Sequence, residues 1–162
     1  MKTHTTILAW ALLVSPSLAS ASDEVSQDVV VRMDADQVRA VLADTSLAMS
    51  MSKDIISHRI EDDAPCQLVH ITTRGLTEPL KYTVRRCPTA TGFKETLVQG
   101  DSMIEAMEVE WRTSPHEGGT KVRLSVLTRI GRVPQLLVNQ QVRQGVSQTL
   151  RNLVRVVEPK AR

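Results

Sequence analysis

The chain is poor in aromatic side chains: two Trp, one Tyr and one Phe in 162 residues. Proteins that hold single-stranded nucleic acid stack bases on aromatic platforms, so this scarcity argues against a nucleic-acid partner. Cysteine is as scarce, with Cys66 and Cys87 alone. They form no C-x-x-C, which removes the basis for a thioredoxin-like function. No apolar run approaches the roughly 20 residues that a membrane-spanning helix needs. The sequence also lacks G-x-S-x-G, P-loop, H-E-x-x-H and dinucleotide-binding patterns. Neither a cofactor nor a metal is expected.

What is present begins with an export signal. Lys2 supplies a positive start, Ile7 to Val14 an apolar run, and Ala19-Ser20-Ala21 a small-residue cleavage site ahead of Ser22-Asp23-Glu24. This order is that of a secretory signal peptide. Residues 1–21 are therefore expected to be cleaved, leaving a single domain over 22–162. No cysteine stands directly after the cleavage point, so a lipoprotein is not expected. The expected location is the periplasm or the exterior, with the chain soluble after cleavage. Thiols there are oxidised, and an even cysteine count points to a disulfide.

The stretch CQLVHITTRGLTEPLKYTVRRC, residues 66–87, tests that expectation. Opposed residues in an antiparallel hairpin have a constant sum of numbers. Setting Cys66 against Cys87 puts Val69 opposite Val84, Ile71 opposite Tyr82 and Thr73 opposite Leu80, all on one face. Hydrophobic alternation and cysteine pairing thus choose the same register. Directly opposed Cα atoms lie about 4.5–5.5 Å apart, within disulfide range. A zinc clip through His70 fails on distance, because four residues of strand span about 13 Å. The disulfide reads as a staple without chemistry of its own.

Around this hairpin, residues 27–33 read as a strand. Asp34 and Gln37 form a capping box opening a helix with Val38, Val41 and Leu42 on one face. A second short helix fits 46–52. Strands follow at 54–61, 66–74, 80–87, 92–99, 103–113 and 120–130, separated by turn signals such as Gly118-Gly119. After Pro134 the apolar spacing becomes helical, through Val138, Val142, Val146, Leu150, Leu153 and Val157. The small Gly145 and Thr149 lie in the same arc. The order predicts an α+β fold: a curved antiparallel sheet of about seven strands, two short helices after strand 1, and a long C-terminal helix of about six turns lying on the sheet.

The segment GRVPQLLVNQQVRQGVSQTLRNL, with Gly131, Pro134, Leu137, Val138 and Asn139 at the junction of last strand and last helix, resembles the START-like superfamily. That group includes START lipid-binding domains and polyketide cyclase-type proteins. MDADQVRAVLAD resembles its first strand-to-helix passage, and the resemblance covers about 28–157. It implies a helix-grip fold, in which a cavity between sheet and C-terminal helix holds a hydrophobic ligand.

Strand alternation then nominates a ligand site. The expected lining is Ile56, Val69, Ile71, Tyr82, Val84, Met103, Met107, Val126, Thr128 and Val142, with His58 and Glu105 as polar anchors. Aliphatic and Met side chains suit a flexible acyl chain. The expected partner is a lipid or other apolar small molecule, bound without catalysis. One alternative is a cyclase or aromatase using His58 and Glu105 as an acid/base pair. Their plainer reading is a satisfied core histidine and a strand-end glutamate. His70 is expected on the outer face of the hairpin and His116 in a turn.

Charge suggests a third reading. From residue 120 onward there are nine Lys or Arg and one acid, Glu158, against ten basic and seventeen acidic residues over 22–119. A basic C-terminal helix is matched to an anionic membrane surface. An interaction module of this kind, its cavity filled by its own side chains, is the remaining alternative.

Overall fold

A computed structural model describes residues 23–158; the expected signal peptide, residues 1–21, lies outside the described residues. The elements are β1 (Glu24–Val31), α1 (Ala35–Ala43), α2 (Thr45–Ser50), β2 (Ile55–Asp63), β3 (Cys66–Thr73), β4 (Leu80–Pro88), β5 (Gly92–Gly100), β6 (Ile104–His116), β7 (Gly119–Ile130) and α3 (Gln135–Val157). All strand pairings are antiparallel, in the order β1-β7-β6-β5-β4-β3-β2. The fold is α+β, with seven strands, two short helices after the first and one long C-terminal helix.

Local chemistry sets the helix starts. The Asp34 carboxylate accepts from the Gln37 amide at 2.9 Å and caps α1. Asp44 does the same for the Leu47 amide, also at 2.9 Å, so α2 begins at Thr45, one residue earlier than its apolar pattern suggests. Such caps satisfy amides that have no partner inside the helix. β1 also starts early, because Glu24 already pairs with Leu127 of β7. Gly118 turns the β6–β7 hairpin at φ 76, a left-handed conformation that glycine adopts without penalty. His116 is the last residue of β6, opposite Gly119.

The β3–β4 register is the one that cysteine pairing requires: Val69 faces Val84 and Ile71 faces Tyr82. Cys66 and Cys87 are joined, with Cα atoms 4.3 Å apart. One continuous core lies where α1 and the C-terminal part of α3 meet the sheet. Val38 and Leu42 of α1, Val122 and Leu124 of β7, and Leu150 and Leu153 of α3 are all buried there. A smaller cluster joins Met49 to Val69, Ile71 and Val84.

Three of the strand ladders carry a register shift, one of them between β4 and β5 at Thr83 and Val84. The β2–β3 register shifts between Ile55 and Ser57, and the β6–β7 register between Ile104 and Ala106. Each shift is a β-bulge, which adds one residue and reverses the faces beyond it. Those in β2 and β6 bear directly on the candidate site.

Candidate functional site

Between the sheet and the N-terminal part of α3 lies a cavity of about 180 Å³. Ile71, Tyr82, Met107, Val126, Thr128 and Val142, all expected there, line it. Thr128 donates its hydroxyl to the Met107 sulfur at 3.4 Å. Val138 and Val146 complete the wall that α3 presents, and Trp111 and Leu124 line the sheet side. Gly145 also lines the cavity, and a Cβ there would stand 3.0 Å from Asp54 Oδ2. Arg74 is the exposed residue of the lining; together with Ser52, Asp54, Gly75, Ile130 and Gln141, which are among its partly exposed residues, we term it the mouth.

Six expected lining residues stand elsewhere. Val69 and Val84 are buried on the concave face, but they pack against Met49 rather than border the cavity. Ile56 is 56% exposed, because the bulge in β2 turns it outward and Ile55 takes its place in the lining. The bulge in β6 acts likewise: Ile104 is buried while Glu105 is exposed, beside Gly131. Met103 precedes the bulge and holds the chain there, its carbonyl accepting from the Gly131 amide at 2.7 Å. His58 stays on the side of Ile71, its strand partner, but it is covered by α2, with Nε2 3.2 Å from the Ser46 hydroxyl. Neither His58 nor Glu105 lines the cavity, and β3, β4 and β5 lie between their strands. The structure does not bring them together as a pair.

Besides Asp54 and Arg74 of the mouth, the lining holds one charged group that alternation arguments passed over. Glu95 of β5 faces Arg86 of β4 across the ladder, and both side chains are nearly inaccessible. Arg86 Nη1 donates to Glu95 Oε1, and Nη2 donates to the Leu42 carbonyl at the end of α1. The guanidinium also stacks over the Phe93 ring at 4.4 Å, a cation–π contact. Burial pushes the Glu95 carboxyl above its ordinary range, against the pull of Arg86. Burial likewise raises the Tyr82 phenol, helped by the negative charge of Glu95 and Asp54. Tyr82 also borders the cavity. A signal for the pair existed: Arg86 continues the inward series Tyr82, Val84, and it opposes a carboxylate on the next strand.

His70 takes no part in the site. On the outer face its Nδ1 is 2.9 Å from the Thr83 hydroxyl and its Nε2 is 3.3 Å from Glu61. The Glu61 carboxyl is lowered chiefly by that histidine. The basic C-terminal half is also less free than its composition suggests: Arg123 is held by Asp28 and Arg129 by Asp23. Among the described residues no group of His, Cys, Asp and Glu could hold a metal ion, and no helix is long and apolar enough to cross a membrane.

No protein-family model matches the chain, and no curated protein matches it by sequence. Solved structures do. A START superfamily protein from Mycobacterium smegmatis superposes with a TM-score of 0.72 at 16% identity, over 85% of this chain and 99% of that one. The chain has the START-like helix-grip fold. A STAR-related lipid transfer protein from Xanthomonas axonopodis gives 0.62 at 17% identity, over 85% and 88%. The Zhui aromatase/cyclase from Streptomyces sp. R1128 gives 0.63 at 20% identity, over 83% and 90%. The helix-grip arrangement accounts for a cavity being present at all. At such identities the likeness carries the fold and leaves the cargo to this chain's own residues.

Proposed function

We propose that this protein binds and carries a small apolar molecule between its sheet and α3. The observation that carries this reading is the cavity itself, which the packing leaves open and lines mainly with aliphatic, Met and aromatic side chains. A cavity of about 150 Å³ with an apolar lining stays dry and takes up a benzene-sized molecule. Drug-sized ligands occupy about 300–1,000 Å³. At about 180 Å³, the site suits one ring or a segment of a single acyl chain, not a whole diacyl lipid. Tyr82 and Glu95 supply polar contacts for one end of such a ligand. Lipid transfer and cyclase proteins among the solved neighbours are compatible with an apolar cargo.

The export reading has support of two kinds. The sequence of residues 1–21 has the order of a signal peptide, and the Cys66–Cys87 disulfide suits an oxidising compartment. Catalysis by His58 and Glu105 is not favoured, since neither borders the cavity.

The test is Met107→Trp, which puts a larger side chain into the cavity. Binding of a fluorescent single-chain fatty acid should be abolished while the thermal midpoint and circular dichroism remain those of a folded protein. Unchanged affinity in the folded variant would place the cargo elsewhere.

A further inference from the structure

A cavity that carries cargo exchanges it through its mouth, and the mouth has an unusual rim. The β3–β4 loop reaches the cavity through Arg74 and Gly75, and the first turns of α3 reach it through Val138 and Gln141. Directly beside these residues stand Leu76, 49% exposed, Leu136, 79% exposed, and Leu137, 48% exposed. At about 100° per residue, Leu136 points some 200° from Val138, away from the buried stripe of α3. No core contact explains it. Single exposed leucines are common, but these stand on separate elements around one opening.

Charge points the same way. Lys53, Arg74 and Arg132 are exposed, and each adjoins a mouth residue: Ser52 and Asp54, Gly75, or Ile130 through Gly131. Among the described residues none of the three makes an ion pair, unlike Arg39, Arg59, Arg85, Arg112, Arg123 and Arg129, each of which holds a carboxylate. Arg32, Lys81, Lys121, Arg143, Arg151 and Arg155 hold none either, so the three are set apart by their place beside the leucines of the mouth. Asp54 at the mouth, Glu78 in the loop and Glu105 beside Gly131 are the nearby acids, and none of them pairs with these three cations. Arg132 has φ 66, a conformation that favours glycine. The fold gains no side-chain hydrogen bond or ion pair from it in return, and such positions cluster where function retains them. Outward leucines among unpaired cations match a phospholipid interface, apolar just below and phosphate-bearing at the surface. The basic face of α3 is a weaker candidate, because Arg151 and Arg155 bond to Gln148 and Asn152 of their own helix.

We infer that the rim of the cavity mouth docks on a phospholipid bilayer, with Leu76, Leu136 and Leu137 inserting and Lys53, Arg74 and Arg132 meeting headgroup phosphates. This inference rests on the carrier reading, and the experiment separates the two. The full secreted chain is floated with phosphatidylcholine vesicles, with and without phosphatidylglycerol. The wild type should float with both and more with phosphatidylglycerol. Leu136→Ser combined with Leu137→Ser should lower partitioning about tenfold or more while leaving fatty-acid binding in solution unchanged. Arg132→Gly should remove part of the phosphatidylglycerol increment without loss of thermal stability. Met107→Trp should float normally and bind no fatty acid. Absence of flotation by a wild type that takes up fatty acid would overturn the docking inference alone. Flotation by a wild type that takes up none would overturn the carrier reading alone. A dimer dissolved by the double serine variant would make a second copy the occupant of the rim and overturn the bilayer assignment.

Discussion

The two halves of α3 share one spacing and have opposite consequences. In the C-terminal half, Leu150, Leu153 and Val157 fill the space between helix, sheet and α1, and all are buried. In the N-terminal half, Val138, Val142 and Gly145 fall on the same arc but border an open cavity. Periodicity decides which face meets the sheet; side-chain volume decides whether anything remains between them. Leu150 and Leu153 close the gap, whereas Val138, Val142 and Gly145 leave one. The solid half can therefore hold the fold while the hollow half is left for a ligand.

The largest test of this division lies at its seam, where Arg86 ties the cavity-lining Glu95 to the end of α1. Removing one partner leaves a buried charge without compensation. Arg86→Ala should lose about 3–5 kcal/mol in urea unfolding. An Arg86→Met, Glu95→Leu double variant should recover most of that loss, and a double variant as unstable as the single one would contradict a charge-burial origin. Next comes the contrast within α3 itself. Leu153→Ala should cost about 2–5 kcal/mol, as buried leucine truncations do. Val142→Ala, at the cavity wall, should cost about 1 kcal/mol and change ligand affinity instead. Equal losses at both positions would erase the distinction between the halves.

Gly145→Ala sharpens the same contrast with a smaller effect. Alanine favours the helix by about 1 kcal/mol over glycine, and the added methyl meets only the end of the Asp54 side chain. Stability should be level or slightly raised and ligand affinity reduced. The smallest effect belongs to the packed half, where Asp28 joins β1 to β7 through Arg123. A hydrogen bond from Arg123 lowers the Asp28 carboxyl below its ordinary value of 3.8. A depressed carboxylate stabilises the fold above its unfolded value and loses that contribution as pH falls through the folded one. Asp28→Asn should therefore lower the unfolding free energy slightly at neutral pH, by less than about 1 kcal/mol after solvent screening, and not at all in strong acid.

Much of this structure was legible in the residues. Val69, Ile71, Tyr82 and Val84 set the β3–β4 register, since a slip of one would have turned each of them outward. The helical spacing from Val138 to Val157 located α3 for the same kind of reason. The site was legible only where the strands stay regular. Met107, Val126 and Thr128 lie beyond the bulges and were placed correctly on the lining. Ile56 and Glu105 sit at bulges near strand ends, where one inserted residue reverses inside and outside. Neither sequence stretch carries a glycine that would have marked the insertion. Glu95 and Arg86 escaped for another reason: charged residues are rarely buried unless paired, and their pairing depends on the β4–β5 register. Here a third register shift, between Thr83 and Val84, separates the pairing near the hairpin from the pairing beyond it.

The central claim is that the hollow half of α3 holds an apolar cargo. Native mass spectrometry of the protein, purified from its own compartment without detergent, tests it most directly, with the same sample denatured and extracted for lipid. The account predicts a stoichiometric apolar adduct in the wild type that is absent from folded Met107→Trp. A wild type that carries no adduct and takes up none from added fatty acid would contradict it.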